Sequence, residues 1–172
     1  MKEGPILALG EALVEFMPEP AGGTMRDARD WRKYAGGGPA TYAAAAVRCG
    51  RQASLITHVG QDPFSDFMVD ALVEEGVAVE AIRRVEGRQI GLCFHECIAG
   101  DTNLIFHRGD SAATTLAPAD IDPQQIAAAA ALHVPGTTMQ ISPSALEAAR
   151  VAIAAAHSAG TVLSFDPNTR VI

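Results

Sequence analysis

The chain has 172 residues, 48% of them hydrophobic, enough to bury one sizeable core and too few for two full domains. Thirteen Lys and Arg stand against twenty Asp and Glu, a net charge of −7 with no basic cluster, which argues against nucleic acid and anionic membrane surfaces as partners. No apolar run approaches the roughly eighteen residues of a membrane span, and the first residues carry no leader-like pattern, so a cytoplasmic protein is expected. The three cysteines, Cys49, Cys93 and Cys97, do not suggest a disulfide framework.

In chain order, Ile6 to Leu9 is a short apolar run ending at Gly10, as in a buried strand. Ala12 to Phe16 alternates in polarity. Gly36-Gly37-Gly38-Pro39 then opens an alanine-rich helix that stops at Gly50. Ser54 to Val59 is a second buried strand, and Pro63 to Glu75 has helical apolar spacing, with Asp62 placed as N-cap and Gly76 as the stop. Residues 89–108 alternate in polarity on either side of Gly100-Asp101 and predict a β-hairpin. A last unit follows: strand Ala131 to Val134, helix Ser144 to His157 closed by Gly160, and strand Thr161 to Phe165. Strands alternating with helices predict an α/β fold, a parallel sheet covered on both faces, with the alternating segments forming a small flap beside it.

The glycine-lined helix start offers unpaired N–H groups and a positive dipole end, suited to a hydroxyl-rich or anionic small molecule. In an open parallel sheet ligands lie beyond the carboxyl ends of strands. Glu11 and Glu15 follow the first strand, and Asp166-Pro167-Asn168-Thr169-Arg170 follows the last, placing a carboxylate, an amide and a guanidinium on one loop. Arg108 ends the hairpin, from where it can reach across a cleft to a carboxylate or phosphate. Cys93, His95 and Cys97 alternate as one face of a strand would, with His107 a further candidate ligand. No Cys-x-x-Cys or compact second pair accompanies them, so no metal site is expected. P-loop, dinucleotide-binding and Gly-x-Ser-x-Gly signatures are absent from the sequence.

Several segments together resemble the N-terminal half of PfkB-type, ribokinase-like sugar kinases. These are Gly10-Glu11 with Glu15, Gly36-Gly37-Gly38-Pro39-Ala40 before the alanine-rich helix, Val59-Gly60-Gln61-Asp62-Pro63-Phe64, Glu75-Gly76-Val77, Arg108-Gly109-Asp110-Ser111-Ala112-Ala113, and Phe165-Asp166-Pro167-Asn168-Thr169-Arg170. They span essentially the whole chain in the family's order. Within the family they look most like 2-keto-3-deoxygluconate kinases and fructokinases. Two departures stand out: Thr41 occupies a position where the family usually has Asn, and Glu15 one where many members have Asp.

The resemblance implies a ribokinase-like doubly wound sheet with a β-sheet lid, residues 1–172 being the N-terminal part of one domain and the lid strands lying at about 12–17, 31–34 and 89–108. It implies phosphorylation of a sugar or sugar-acid hydroxyl by ATP with Mg²⁺. Glu15, Gly36, Gly37 and Gly38 would bind sugar hydroxyls, with Thr41 beside them. Cys93 would point at the substrate from the lid, Arg108 and Arg170 would engage its polar or carboxylate end, and Asp166 and Asn168 would complete the site. The family's nucleotide site and catalytic carboxylate lie in a C-terminal half outside these residues, so no catalytic base is assigned. The chain alone is expected to be inactive and poorly stable or associated, and the lid is compatible with a homodimer. A non-catalytic sugar-binding or regulatory module and a nucleoside kinase of the same fold are the alternatives.

Overall fold

The computed structural model describes residues 2–20, 22, 24–98 and 101–168. Arg170, and Gly100 at the expected hairpin turn, lie outside them, as does the side chain of Cys97.

β1 (Ile6–Leu9) is apolar throughout because it is buried on both faces: Leu7 and Leu9 join one core, Ala8 the other. It pairs in parallel with β4 (Ala53–Val59) on one side and β8 (Ala131–Pro135) on the other. β5 (Ile82–Arg84) extends the sheet beyond β4, and β9 (Val162–Asp166) beyond β8, giving five parallel strands in the order β5-β4-β1-β8-β9. The chain moves outward from β1 to β4 and β5, then returns to the other side of β1. That reversal parts the connections at the carboxyl ends of β1 and β8 and leaves a crevice there.

α1 (Gly38–Arg48) and α2 (Pro63–Glu74) cover one face through Ala40, Ala43, Met68 and Leu72. On the other face lie α3 (Pro123–Ala128) and α5 (Pro143–Ala159). Ala145, Ala148, Ala149, Ala152 and Ala156 form a fully buried stripe on α5, at the spacing that keeps one helical face toward the sheet. Ser142 caps that helix by accepting from the Ala145 N–H at 3.1 Å, and Gly160 closes it in the left-handed region at φ 66°.

The lid is a second sheet of four strands, β3-β2-β6-β7. β2 (Leu13–Glu19) and β3 (Asp30–Gly36) form one antiparallel hairpin, β6 (Gly91–Ile98) and β7 (Asp101–His107) another, and the two meet through parallel pairing of β2 with β6. One face packs on its own aromatic layer and on α2: Phe16 stacks on Phe94 at 5.0 Å and meets Phe64 edge-on at 5.5 Å, and the Lys33 ammonium sits 4.1 Å over Phe67. The apolar lid residues Ile90, Leu92, Phe94, Ile105 and Phe106 are compatible by sequence with a dimer surface, but Ile90 is buried and Phe94 belongs to this layer, so of these Ile105 is the large hydrophobic left exposed.

Several boundaries differ from the sequence expectation. The lid strands expected at 12–17 and 31–34 run to Glu19 and across Asp30–Gly36, because continuous antiparallel pairing from Leu13↔Gly36 to Glu19↔Asp30 outlasts the local polarity signal. β5 was not expected at all. Its two arginines mask a strand held by register with Thr57–Val59, and Arg84 is anchored by ion pairing to Asp66 at 2.7 Å and by donation to the Gly60 carbonyl at 3.1 Å. The short helix α4 (Gly136–Gln140) follows β8 directly and was also unanticipated.

Asp62 joins α2 to the lid. One carboxylate oxygen accepts from the Phe64 and Ser65 N–H groups, and the other from the Ser65 hydroxyl and from the Ile90 N–H ahead of β6. Asp62→Ala is expected to destabilise the protein by about 2 kcal/mol, the upper range for a lost N-cap, while the exposed Asp70→Ala on the same helix changes stability by less than about 0.5 kcal/mol. Urea denaturation of both variants checks this. β9 presents exposed Val162, Leu163 and Phe165 at the edge of the described sheet, the arrangement that favours edge-to-edge association. The 172-residue chain by itself is expected to sediment as associated species, and Leu163→Lys to shift it toward monomer; a wild-type chain that stays monomeric at all concentrations counts against this.

Candidate functional site

Where the carboxyl end of β1, the start of α1 and the lid converge, the chain encloses a cavity of about 140 Å³. The lid contributes one face of its pleat. Glu15 stands opposite Cys93 and Cys93 opposite Phe106, so period-two alternation aims all three the same way, followed by His95 opposite Leu104.

The glycines are required by close approach. Gly37 is the N-cap of α1 at φ 95°, and a Cβ there would lie 2.6 Å from the Glu11 carbonyl oxygen. A Cβ at Gly36 would run into the Glu15 carboxylate. Gly38 faces the cavity and has only the Asn168 side-chain amide, at 3.6 Å, near its missing Cβ. The loop therefore lets Glu15 lie against the helix start, where its Oε1 accepts the Gly37 N–H at 3.2 Å and its Oε2 lies 2.9 Å from His95 Nε2.

A second carboxylate is more deeply placed. Glu11 is 4% exposed; its Oε2 accepts from Arg108 Nη1 at 2.6 Å, and its Oε1 is buried without a hydrogen-bond partner among the described residues. Burial raises the Glu11 carboxyl above its ordinary value, against the opposing pull of the Arg108 guanidinium. Arg108 also lies over the Phe106 ring, 4.2 Å from its centroid. The guanidinium expected to reach across the cleft to a ligand is thus held by a carboxylate of the protein itself.

Of the residues singled out from sequence, the cavity brings together Glu15, Gly37, Gly38, Cys93, Arg108 and Asn168. Gly36 sits behind Glu15. Thr41 and Asp166 line a neighbouring open groove of about 640 Å³ that shares Glu15, Gly37, Gly38 and Asn168 with the cavity. Asp166 Oδ1 accepts from the Asn168 N–H at 2.9 Å, and Asn168 adopts φ 38°, the turn chemistry that Asp-Pro-Asn favours. Arg170 lies outside the described residues.

The sequence places Glu11 at the end of the first strand without giving it a ligand role, and singles out no site role for His95, Phe106 or Thr137, all of which line the cavity. Glu11 had a usable signal, a charged residue directly after a buried strand. His95 was taken with a row of metal-ligand types, but among the described residues no group of three His, Cys, Asp or Glu side chains is placed to hold a metal ion. His133, a β8 residue to which the sequence gives no site role, stacks on Tyr42 in the open groove at 3.7 Å between centroids, with Nδ1 3.0 Å from the Ser164 hydroxyl. Burial lowers its pKa, and Asp166 opposes that shift.

Because Glu11 is raised in the folded state, the folded protein binds more protons than the unfolded chain between the two values, and stability falls as pH rises through that window. Relative to Glu11→Gln, the wild type is expected to gain stability as pH is lowered from neutral toward the ordinary glutamate value of roughly 4.3. Denaturant titrations of both proteins along that range check the sign; a flat difference, or one of opposite slope, rules the effect out.

Residues 5–171 match the family described as pfkB family carbohydrate kinase. The chain is 32% identical over 170 residues to fructokinase-2 of Solanum lycopersicum, covering 98% of this chain and 51% of that protein. It is 32% identical over 167 residues to 5-dehydro-2-deoxygluconokinase of Clostridium perfringens, covering 96% and 49%. The crystal structure of a PfkB protein from a Polaromonas species superposes with a TM-score of 0.92 at 26% identity, over 98% of this chain and 57% of that one. The chain spans about half the length of the curated relatives it matches.

Proposed function

Since this chain belongs to the pfkB carbohydrate kinase family, we propose that it forms the sugar-binding part of an enzyme that transfers phosphate from ATP to a hydroxyl of a sugar or sugar acid, of the fructose or 2-keto-3-deoxygluconate type. The observation that carries this reading is the cavity between the triple glycine and the lid, in which Glu15 is fixed from two sides as a hydroxyl acceptor. A carboxylate already anchored by a backbone N–H and a histidine loses little conformational freedom when a ligand arrives, which favours directional binding of a polyol.

In this reading Glu15, Gly37, Gly38, Cys93 and Asn168 surround the sugar, Gly36 gives Glu15 its room, and Thr41 and Asp166 lie along the adjoining groove. Arg108 and Arg170 serve the polar end of the ligand. ATP and Mg²⁺ belong to the proposed reaction, but the described residues contain no cluster suited to the metal, and no step is assigned to it. The catalytic base is assigned to no residue of this chain. No helix among the described residues is long and apolar enough to cross a membrane, and a cytoplasmic location forms part of the proposal. So does dimerisation through the lid.

An ADP-release assay on the protein that carries these residues, with fructose, 2-keto-3-deoxygluconate, ribose and adenosine, tests the reading. Turnover is expected with a hexose or its keto-acid. Glu15→Ala should raise KM at least about tenfold, the loss expected for a hydrogen bond to a charged acceptor. Turnover of adenosine alone would sink the proposal, and an unchanged KM would remove Glu15 from it. Calorimetry in the absence of ATP separates a non-catalytic sugar-binding module, which binds without turnover.

A further inference from the structure

Glu11 has one carboxylate oxygen engaged and the other buried with nothing among the described residues to accept from. Buried polar atoms almost always find a partner, and an orphaned carboxylate oxygen is among the costlier exceptions. This one lies on a residue that lines the cavity. It has space because position 91 is glycine: a Cβ there would stand 3.1 Å from Glu11 Oε1, with the Leu13 side chain closer still at 2.6 Å. Burial raises the Glu11 carboxyl and Arg108, in contact at 2.6 Å, opposes that shift; the ionised form that pairs with the guanidinium accepts hydrogen bonds and donates none. What completes the site is therefore a donor.

The same contact governs charge. Among the described residues lining the cavity, the carboxylates Glu11 and Glu15 face the single guanidinium of Arg108. That guanidinium is ion-paired to Glu11 on one side and packed on Phe106. A ligand carboxylate arriving here would meet two like charges and an arginine whose charge is already compensated, and it would bring no proton to the orphaned oxygen. A ligand hydroxyl meets none of these penalties.

We propose that Glu11 determines specificity in the sugar site: Oε1 accepts a ligand hydroxyl while Oε2 holds Arg108, so the site takes a neutral polyhydroxylated sugar in preference to a sugar acid. This rests on the sugar-kinase reading and narrows its substrate class. Glu11→Gln keeps the side chain's shape, removes its charge and frees Arg108, so it should weaken binding of the neutral sugar and strengthen binding of the acid.

The test is calorimetric binding of fructose and of 2-keto-3-deoxygluconate to the protein that carries these residues, wild type and Glu11→Gln. The wild type is expected to bind fructose at least about tenfold more tightly, and Glu11→Gln to move the ratio of the two affinities toward the acid by at least about tenfold, the scale of a charge-assisted hydrogen bond. The wild-type preference needs no variant and decides the matter even if Glu11→Gln fails to fold. A wild type that prefers the acid, or that binds neither ligand, overturns the inference. So does a folded Glu11→Gln with an unchanged ratio, the result expected if a water alone satisfies Oε1. Loss of ADP release with every sugar strikes the kinase reading instead, whereas ADP release that is faster with the acid leaves that reading standing and removes this one.

Discussion

Three residues, Gly10 to Ala12, carry the chain from the middle of the parallel sheet into the lid, and the site's geometry depends on how little freedom they have. β1 is paired on both sides and buried on both faces, so its carboxyl end cannot shift. The Gly10 N–H donates to the Ile56 carbonyl at 3.1 Å, the Leu9 carbonyl accepts from the Thr138 hydroxyl at 3.0 Å, and a Cβ at Gly10 would collide with Thr138. With no helix between β1 and β2, the two sheets share a corner. Glu11 sits in that corner and is buried by it, and the cavity is the seam between the sheets.

The seam explains why a protein with net charge −7 places two carboxylates side by side in an enclosed space. Each is fixed by a partner drawn from a different part of the fold. Glu15 is steadied by the start of α1 and by β6, Glu11 by Arg108, the residue that follows β7. The glycines at 36 and 37 are then consequences, since side chains there would occupy the space taken by the Glu15 carboxylate and the Glu11 backbone. Acceptors held in place by non-ligand donors make a surface that reads hydroxyl geometry without first paying to order itself.

The parallel sheet was legible because its evidence is local. The apolar run Ile6 to Leu9, the Asp62 cap and the left-handed Gly160 each report their own element within a few residues. The hairpin of β6 and β7 and the start of β2 were legible from alternation, β3 came only through the family resemblance, and the strand end carrying Asp166 was legible from its neighbours. The pairings that make the site were not. Glu11 and Arg108 are 97 positions apart and Glu15 and His95 are 80 apart, and both contacts depend on the parallel register of β2 with β6, which no spacing within either hairpin specifies. β5 was hidden for a related reason: a three-residue strand bearing two arginines exists through its neighbour's register, not its own composition.

The cavity and the open groove differ in electrostatic character even though they share Gly38 and Asn168. Inside the cavity two carboxylates and the arginine paired with one of them favour uncharged donors. At the shared boundary the chain enters α1, whose first turn contains no acidic residue and whose glycine N-cap has no side chain, so the Glu15 carboxylate that accepts the Gly37 N–H is what meets the positive end of the helix. The groove beyond is lined by two carboxylates, Glu15 and Asp166, and by no lysine or arginine among the described residues, so of the two spaces only the cavity carries a guanidinium. Both spaces trace back to the same two turns of backbone, Gly10 to Ala12 and Gly36 to Gly38, which the fold forces into contact at the Glu11 carbonyl.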